Sequence, residues 1–167
     1  MSEAPGDASP QRTLLTARSE YLEGFSRLLG LVRRELRIFD PDLSELGMNR
    51  SQRVEALARL LRESRTHRIY IAIHHTEHLT TRCPRLMALL GSYSAGMFVY
   101  QTRGDAAKVQ DCFVLADNEH LVRRPVTNQP RGVLVLNDAT ACQPIHERFG
   151  EIWEASEPGV SANTTGL

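Results

Sequence analysis

The sequence predicts an α/β domain built on a mixed, mainly parallel sheet with helices on both faces. Three observations lead there. From residue 17 to residue 100, amphipathic stretches at helical spacing alternate with short β-branched apolar runs, as in strands linked by crossover helices. Two later runs, Cys112-Phe113-Val114-Leu115-Ala116 and Val133-Leu134-Val135-Leu136, are apolar without alternation, as strands covered on both faces are. Between them Asp117-Asn118-Glu119 is a turn, so residues 120–124 fold back as the second arm of a hairpin and bring antiparallel pairing into the sheet.

Each element has its own signal. Tyr21, Phe25, Leu28, Leu29 and Val32 share one face of a helix expected over residues 17–34. Leu36-Arg37-Ile38-Phe39 is a strand stopped by the turn residues Asp40-Pro41-Asp42. Asn49 or Ser51 is placed to cap the next helix, where Val54, Leu57, Ala58 and Leu61 fall on one side. Arg68 to Ile73 is rich in β-branched residues and predicts a strand. Pro84 suits the first turn of a helix over residues 84–92, and Met97 to Tyr100 is the following strand. Ile145, Phe149, Ile152 and Trp153 are spaced for the core face of a last helix over residues 144–155. One domain over residues 13–156 results. The Ser-, Pro- and Gly-rich segments 1–12 and 157–167 read as tails.

Composition narrows the function classes. Lysine plus arginine and aspartate plus glutamate are both 20, so net charge is zero, which argues against strong general affinity for nucleic acid or an anionic membrane. Aromatic residues are only 6% of the chain, too few for the stacking platforms of single-strand binders. Lys108 is the only lysine; the other basic residues are arginines, whose forked guanidinium suits carboxylate and phosphate. Cys83, Cys112 and Cys142 are widely spaced and form no CxxC pair, so they are expected as buried free thiols. No apolar run approaches bilayer length and the N-terminus has no apolar signal core, which makes a cytoplasmic location the expectation, with no membrane contact.

The order of elements resembles one half of a phospholipase D-type phosphodiesterase, from the first helix to Trp153. Leu36 to Asp40 follows an amphipathic helix, and Phe149-Gly150-Glu151-Ile152-Trp153 resembles the closing helix of that superfamily. Gln110-Asp111-Cys112-Phe113-Val114-Leu115-Ala116-Asp117 has the length and hydrophobicity of its H-x-K-x-x-x-x-D strand. The chain also resembles an uncharacterised proteobacterial domain family that has the same Arg-Cys-Pro-Arg-Leu and Gln-Asp-Cys-Phe-Val-Leu-Ala-Asp segments. In the superfamily a histidine from each of two halves meets its counterpart, one attacking phosphorus and the other protonating the leaving group, while lysines neutralise the phosphoryl oxygens. Here Gln110 stands at the histidine position and Cys112 at the lysine position; only Asp117 is retained. An amide is neither nucleophile nor general acid, and a neutral thiol cannot stand in for an ammonium. The resemblance therefore implies a non-catalytic relative, a pseudoenzyme. It also implies a possible homodimer, since lone halves pair about a two-fold axis.

Other residues were weighed as replacements. Cys112 lies inside an apolar run and reads as a core thiol. His74, His75 and His78 follow a strand at its carboxyl end, where ligands of α/β sheets bind, but H-H-x-x-H is no established metal spacing. Asp40, Asp42 and Glu45 form a candidate acidic rim. Arg123 and Arg124 must point to opposite faces of their strand, so one can hold an anion in the degenerate site while the other is solvated. Candidate anion-binding residues are thus Arg123, Arg124, His74 and His75, with no cofactor and no metal expected. The expected function is binding of a partner protein or a phosphate-bearing ligand. A phosphodiesterase or other hydrolase using His74 and His75 is the alternative; no P-loop, G-x-S-x-G or G-x-G-x-x-G pattern supports it.

Overall fold

In a computed structural model that describes residues 9–161, every strand joins one eight-stranded sheet. The strands are β1 (Gln11–Leu15), β2 (Glu35–Asp40), β3 (Arg68–Ile73), β4 (Met97–Thr102), β5 (Cys112–Ala116), β6 (His120–Arg124), β7 (Gly132–Leu136) and β8 (Ser156–Val160). The helices are α1 (Arg18–Leu31), α2 (Ser51–Glu63), α3 (Glu77–Arg82), α4 (Pro84–Ser92) and α5 (Ala139–Glu154). Across the sheet the order is β1-β7-β6-β5-β2-β3-β4-β8.

The mixed sheet covered on both faces is as the sequence predicts, but its parallel share is smaller. Only β2–β3 and β3–β4 are parallel; the other five pairings are antiparallel. The reason lies in the connections. Parallel neighbours need a crossover, and helices cross over only between β2 and β4, by α2 and then by α3 with α4. β5, β6 and β7 follow one another as antiparallel neighbours without an intervening helix, and α5 then carries the chain from β7 to β8, which pairs antiparallel with β4.

Two edge strands extend into the segments expected as tails. Gln11–Leu15 pairs antiparallel with β7, and Ser156–Val160 pairs antiparallel with β4, so residues 11–12 and 157–160 are ordered parts of the sheet. The remaining tail segments, 1–8 and 162–167, lie outside the described residues. Helix boundaries also shift. α1 ends at Leu31, where Val32 turns extended. Neither Asn49 nor Ser51 caps α2, whose cap position is Arg50 without a side-chain bond. The Asn49 carboxamide oxygen instead accepts the Arg85 N–H in the first turn of α4 (2.8 Å). α5 begins at Ala139 rather than Pro144, because the Asp138 carboxylate accepts the Ala141 N–H (3.0 Å) and caps the earlier start.

Successive strand residues alternate between two cores. Ile38, Ile71, Cys112 and Val114 pack beneath α1, α2 and α4, while Phe39, Ala72, Phe113 and Leu115 pack beneath α5. β5 is buried along its whole length on both faces, as its unbroken apolar run predicts. Gly24 lets α1 approach the sheet closely: a Cβ there would stand 3.0 Å from Val122 Cγ2. The three cysteines are buried and free, as expected. No helix among the described residues is long and apolar enough to cross a membrane.

Candidate functional site

The antiparallel fit of β5 against β2 brings the start of β5 to the carboxyl ends of β2 and β3. Gln110 and Cys112 therefore sit at the end of the sheet where α/β ligand sites lie. Polar side chains gather there on both faces, and the two sets do different things.

On the α1 face, Cys112 is fully buried with Tyr21, Asp40 and Arg124 around it. Arg124 pairs across the hairpin with Cys112, lies 4.7 Å from the Tyr21 ring centroid, and donates from Nη2 to Glu45 (2.8 Å). The other Glu45 oxygen accepts from Arg18 Nη1 (2.8 Å), so two guanidinium groups hold one carboxylate. Arg18, Asp40, Asp42, Glu45, Arg124 and Thr127 border a cavity of about 270 Å³. Burial pushes the Cys112 thiol up, and nearby Asp40 adds to the shift. The thiol is therefore neutral at physiological pH; burial disfavours the Arg124 charge, and contacts with Cys112 and then Glu45 outweigh it and raise the guanidinium pKa. Burial likewise raises Asp40 to about 6, opposed by the Leu43 and Asp42 N–H groups that its carboxylate accepts. Gln110 is exposed; its backbone carbonyl accepts the Thr127 N–H (2.8 Å). Neither a histidine nor a lysine borders this cavity.

On the α5 face, Asp111 is buried and receives two arginines. Arg123 donates from Nε and Nη2 (3.2 and 3.0 Å) and Arg148 of α5 from Nε and Nη2 (3.1 and 2.7 Å). The expectation that one of Arg123 and Arg124 would be solvated is therefore corrected: Arg124 faces the cavity and Arg123 is tied to Asp111. That pairing fixes α5 to the hairpin with a buried carboxylate that satisfies both cations.

His74 belongs to the same face. Its Nε2 lies 2.8 Å from the Val109 carbonyl and its Nδ1 2.6 Å from Thr102 Oγ1. A carbonyl only accepts, so Nε2 carries the proton and Nδ1 accepts from the threonine hydroxyl. Burial lowers the His74 pKa, in keeping with a neutral ring whose two nitrogens are both engaged. His75 is exposed, with its ring centroid 6.3 Å from that of His74. The structure thus separates the candidates: Arg124 joins the acidic rim Asp40, Asp42 and Glu45, whereas His74 lies across the sheet. Among the described residues no three His, Cys, Asp or Glu side chains gather as a metal site.

Asp117 lies at the far end of β5. Its carboxylate accepts the backbone N–H groups of Arg33, Arg34 and Glu35 at 2.8, 2.8 and 3.0 Å. Its φ of 55° and the 56° of Asn118 make the tight turn to β6, a conformation that Asp and Asn tolerate. Sequence reasoning missed the roles of Arg18 and Arg148, whose partners are remote in the chain. It also missed Arg53, a buried cation at the start of α2 whose only signal is the absence of any acid in that first turn.

The fold of this single α/β unit is phospholipase D-like. Solved structures share the fold. TrmBL2, an archaeal chromatin protein whose structure shows a novel mode of DNA binding, aligns with a TM-score of 0.66 at 11% identity, over 89% of this chain and 54% of that one. NucT from Helicobacter pylori aligns with a TM-score of 0.61 at 11% identity, over 90% of this chain and all of its own. Nuc from Salmonella typhimurium, a phospholipase D family member, aligns with a TM-score of 0.58 at 14% identity, over 92% of this chain and all of its own. This chain thus spans about half the length of TrmBL2 but the full length of the Nuc and NucT chains. No curated protein matches the sequence. The chain belongs to the family described as domain of unknown function DUF7931, which it matches over residues 17–163.

Proposed function

We propose that this domain is a non-catalytic phospholipase D-like module that binds a phosphate-bearing ligand in competition with its own Glu45. One observation carries the reading: Arg124 lies beside Cys112 at the degenerate position, and Arg18 and Arg124 converge on a single carboxylate at an open cavity. Two guanidinium groups aimed at one carboxylate also suit a phosphoryl group. Glu45 is half exposed and sits in the loop between β2 and α2, so it can give way without disturbing the core. The absence of an imidazole or ammonium from the cavity lining supports the non-catalytic part. Loss of a nucleophile typically lowers turnover by several orders of magnitude. The homodimer implied by the resemblance belongs to the same proposal; light scattering across a concentration series reads it.

The test has two arms. Hydrolysis of a chromogenic phosphodiester, with and without divalent metal, is expected to stay at background. Turnover that disappears in His74→Ala or His75→Ala would establish the hydrolase reading instead. Binding of inorganic phosphate is expected to tighten in Glu45→Gln by about threefold to tenfold and to weaken in Arg18→Ala. Equal affinity in the wild type and both variants removes the cavity as the site.

A further inference from the structure

We infer a second anion site, separate from the degenerate cavity, at the amino end of α2: the geometry points to Arg53, Arg50 and the free N–H groups of the first turn as a receptor for a phosphate group. A cavity of about 340 Å³ lies between α1 and α2, bordered by Gly30, Arg50, Gln52, Arg53, Ala56 and Arg59. Three of these are cations, and among the described residues no aspartate or glutamate borders the space.

Arg53 is the decisive side chain. It is only 8% exposed, lies 4.7 Å from the Phe25 ring centroid, and no carboxylate among the described residues pairs with it. Its Nε and Nη1 are sealed from solvent and have no hydrogen-bond partner among the described residues, and the side chain lines the cavity. A buried, unpaired guanidinium is costly unless an anion reaches it. Burial and neighbouring Arg50 both lower its pKa, the response of a cation that lacks a counter-charge.

The helix end adds an independent contribution. The cap residue Arg50 supplies no side-chain bond, and the first turn holds no acid to answer the positive end of the helix dipole. The Arg53 and Val54 N–H groups bond to the Arg50 carbonyl, while those of Ser51 and Gln52 find no acceptor among the described residues. Free amides at a helix start beside two arginines form an arrangement that takes phosphate. Of the cations here only Arg59 has a carboxylate partner, Glu63 at 3.9 Å, and that pair is solvent-exposed and weak. The phosphate could come from a soluble phosphomonoester or from a lipid headgroup; the receptor chemistry is the same.

Inorganic phosphate titrated into the full chain, followed through backbone amide chemical shifts, is expected to move Ser51, Gln52 and Arg53. Arg53→Met should weaken that binding by about tenfold to a hundredfold, the loss of a charge-assisted bond. Arg50→Glu, at an exposed position, should abolish it, and it covers the case in which Arg53→Met does not fold. Arg18→Ala, which acts on the other cavity, should leave the Ser51 and Gln52 shifts intact, so failure of the two sites can be told apart. Phosphatidylcholine vesicles with and without phosphatidic acid separate the sources. Sedimentation only with phosphatidic acid, lost in Arg50→Glu, assigns a lipid headgroup; phosphate shifts without sedimentation assign a soluble ligand. If neither probe binds, or if both variants bind phosphate as tightly as the wild type, the site does not exist.

Discussion

The two ends of β5 are occupied by the residues aligned with one motif, yet they do opposite work. At the Cys112 end the thiol is buried among ionisable groups while the Gln110 amide is exposed, and these are the two positions aligned with the motif's histidine and lysine. At the Asp117 end the retained carboxylate accepts three backbone N–H groups and holds the turn that starts β6. The difference teaches that a motif can be divided by physical role. The residue needed to build the hairpin remains, because the fold requires its hydrogen bonds whatever the function. On the proposed reading, the positions used only for chemistry are the ones free to hold side chains that the packing tolerates.

The sharpest attempt to break this comparison restores a cation at the chemical end. Cys112→Lys would place an ammonium in a fully buried position beside Arg124, with Asp40 offsetting part of the repulsion. The expected loss of stability is roughly 3–5 kcal/mol, measured by denaturant unfolding. A variant as stable as the wild type would mean that this position still accommodates the lysine of an active relative, and the contrast between the ends would fail.

Asp40 sharpens the same end through pH. Burial holds its pKa near 6, above the ordinary carboxylate value of about 3.8. The folded state therefore keeps the proton more tightly than the unfolded chain. The resulting stabilisation is fully present below about pH 4 and is lost as pH rises towards 6. Asp40→Asn does not titrate, and it can still accept the Leu43 N–H through its amide oxygen. Relative to the wild type, the variant should gain on the order of 3 kcal/mol between pH 4 and pH 7, read as the difference between two unfolding curves. A difference that does not change with pH would show that Asp40 is solvated or fully neutralised by Arg124.

The same division explains what could be read from the sequence. β3, α4, β5 and β6 fall on the residues expected, because each has a core face and its periodicity follows from burial. β1 and β8 escaped because edge strands pair on one side only. Their sequences, QRTLL and SEPGV, are polar or interrupted by Pro158 and Gly159 and show no core-directed alternation. At the site, alternation along β6 placed Arg123 and Arg124 on opposite faces correctly. The partners of those arginines were not legible: Glu45 is 79 residues from Arg124, and Arg148 is 37 from Asp111. Local spacing carries no information about pairs that only the sheet order brings together.

The structural end offers the finer test, since Asp117 is only partly buried and its effect is correspondingly smaller. Asp117→Ala removes the acceptor for the Arg33, Arg34 and Glu35 amides and puts a Cβ-bearing residue without a polar side chain at a φ of 55°. Solvent can rehydrate part of that amide row, so the expected loss is about 2 kcal/mol rather than the sum of three bonds. Asp117→Asn keeps an acceptor oxygen and tolerates the left-handed backbone, so about half of that loss should return. Measured together, the two variants separate the charge from the turn. If Asp117→Ala unfolds at the same denaturant concentration as the wild type, the retained carboxylate is not needed to build the hairpin. Its presence would then have to be explained by the chemistry that the other end of β5 lacks.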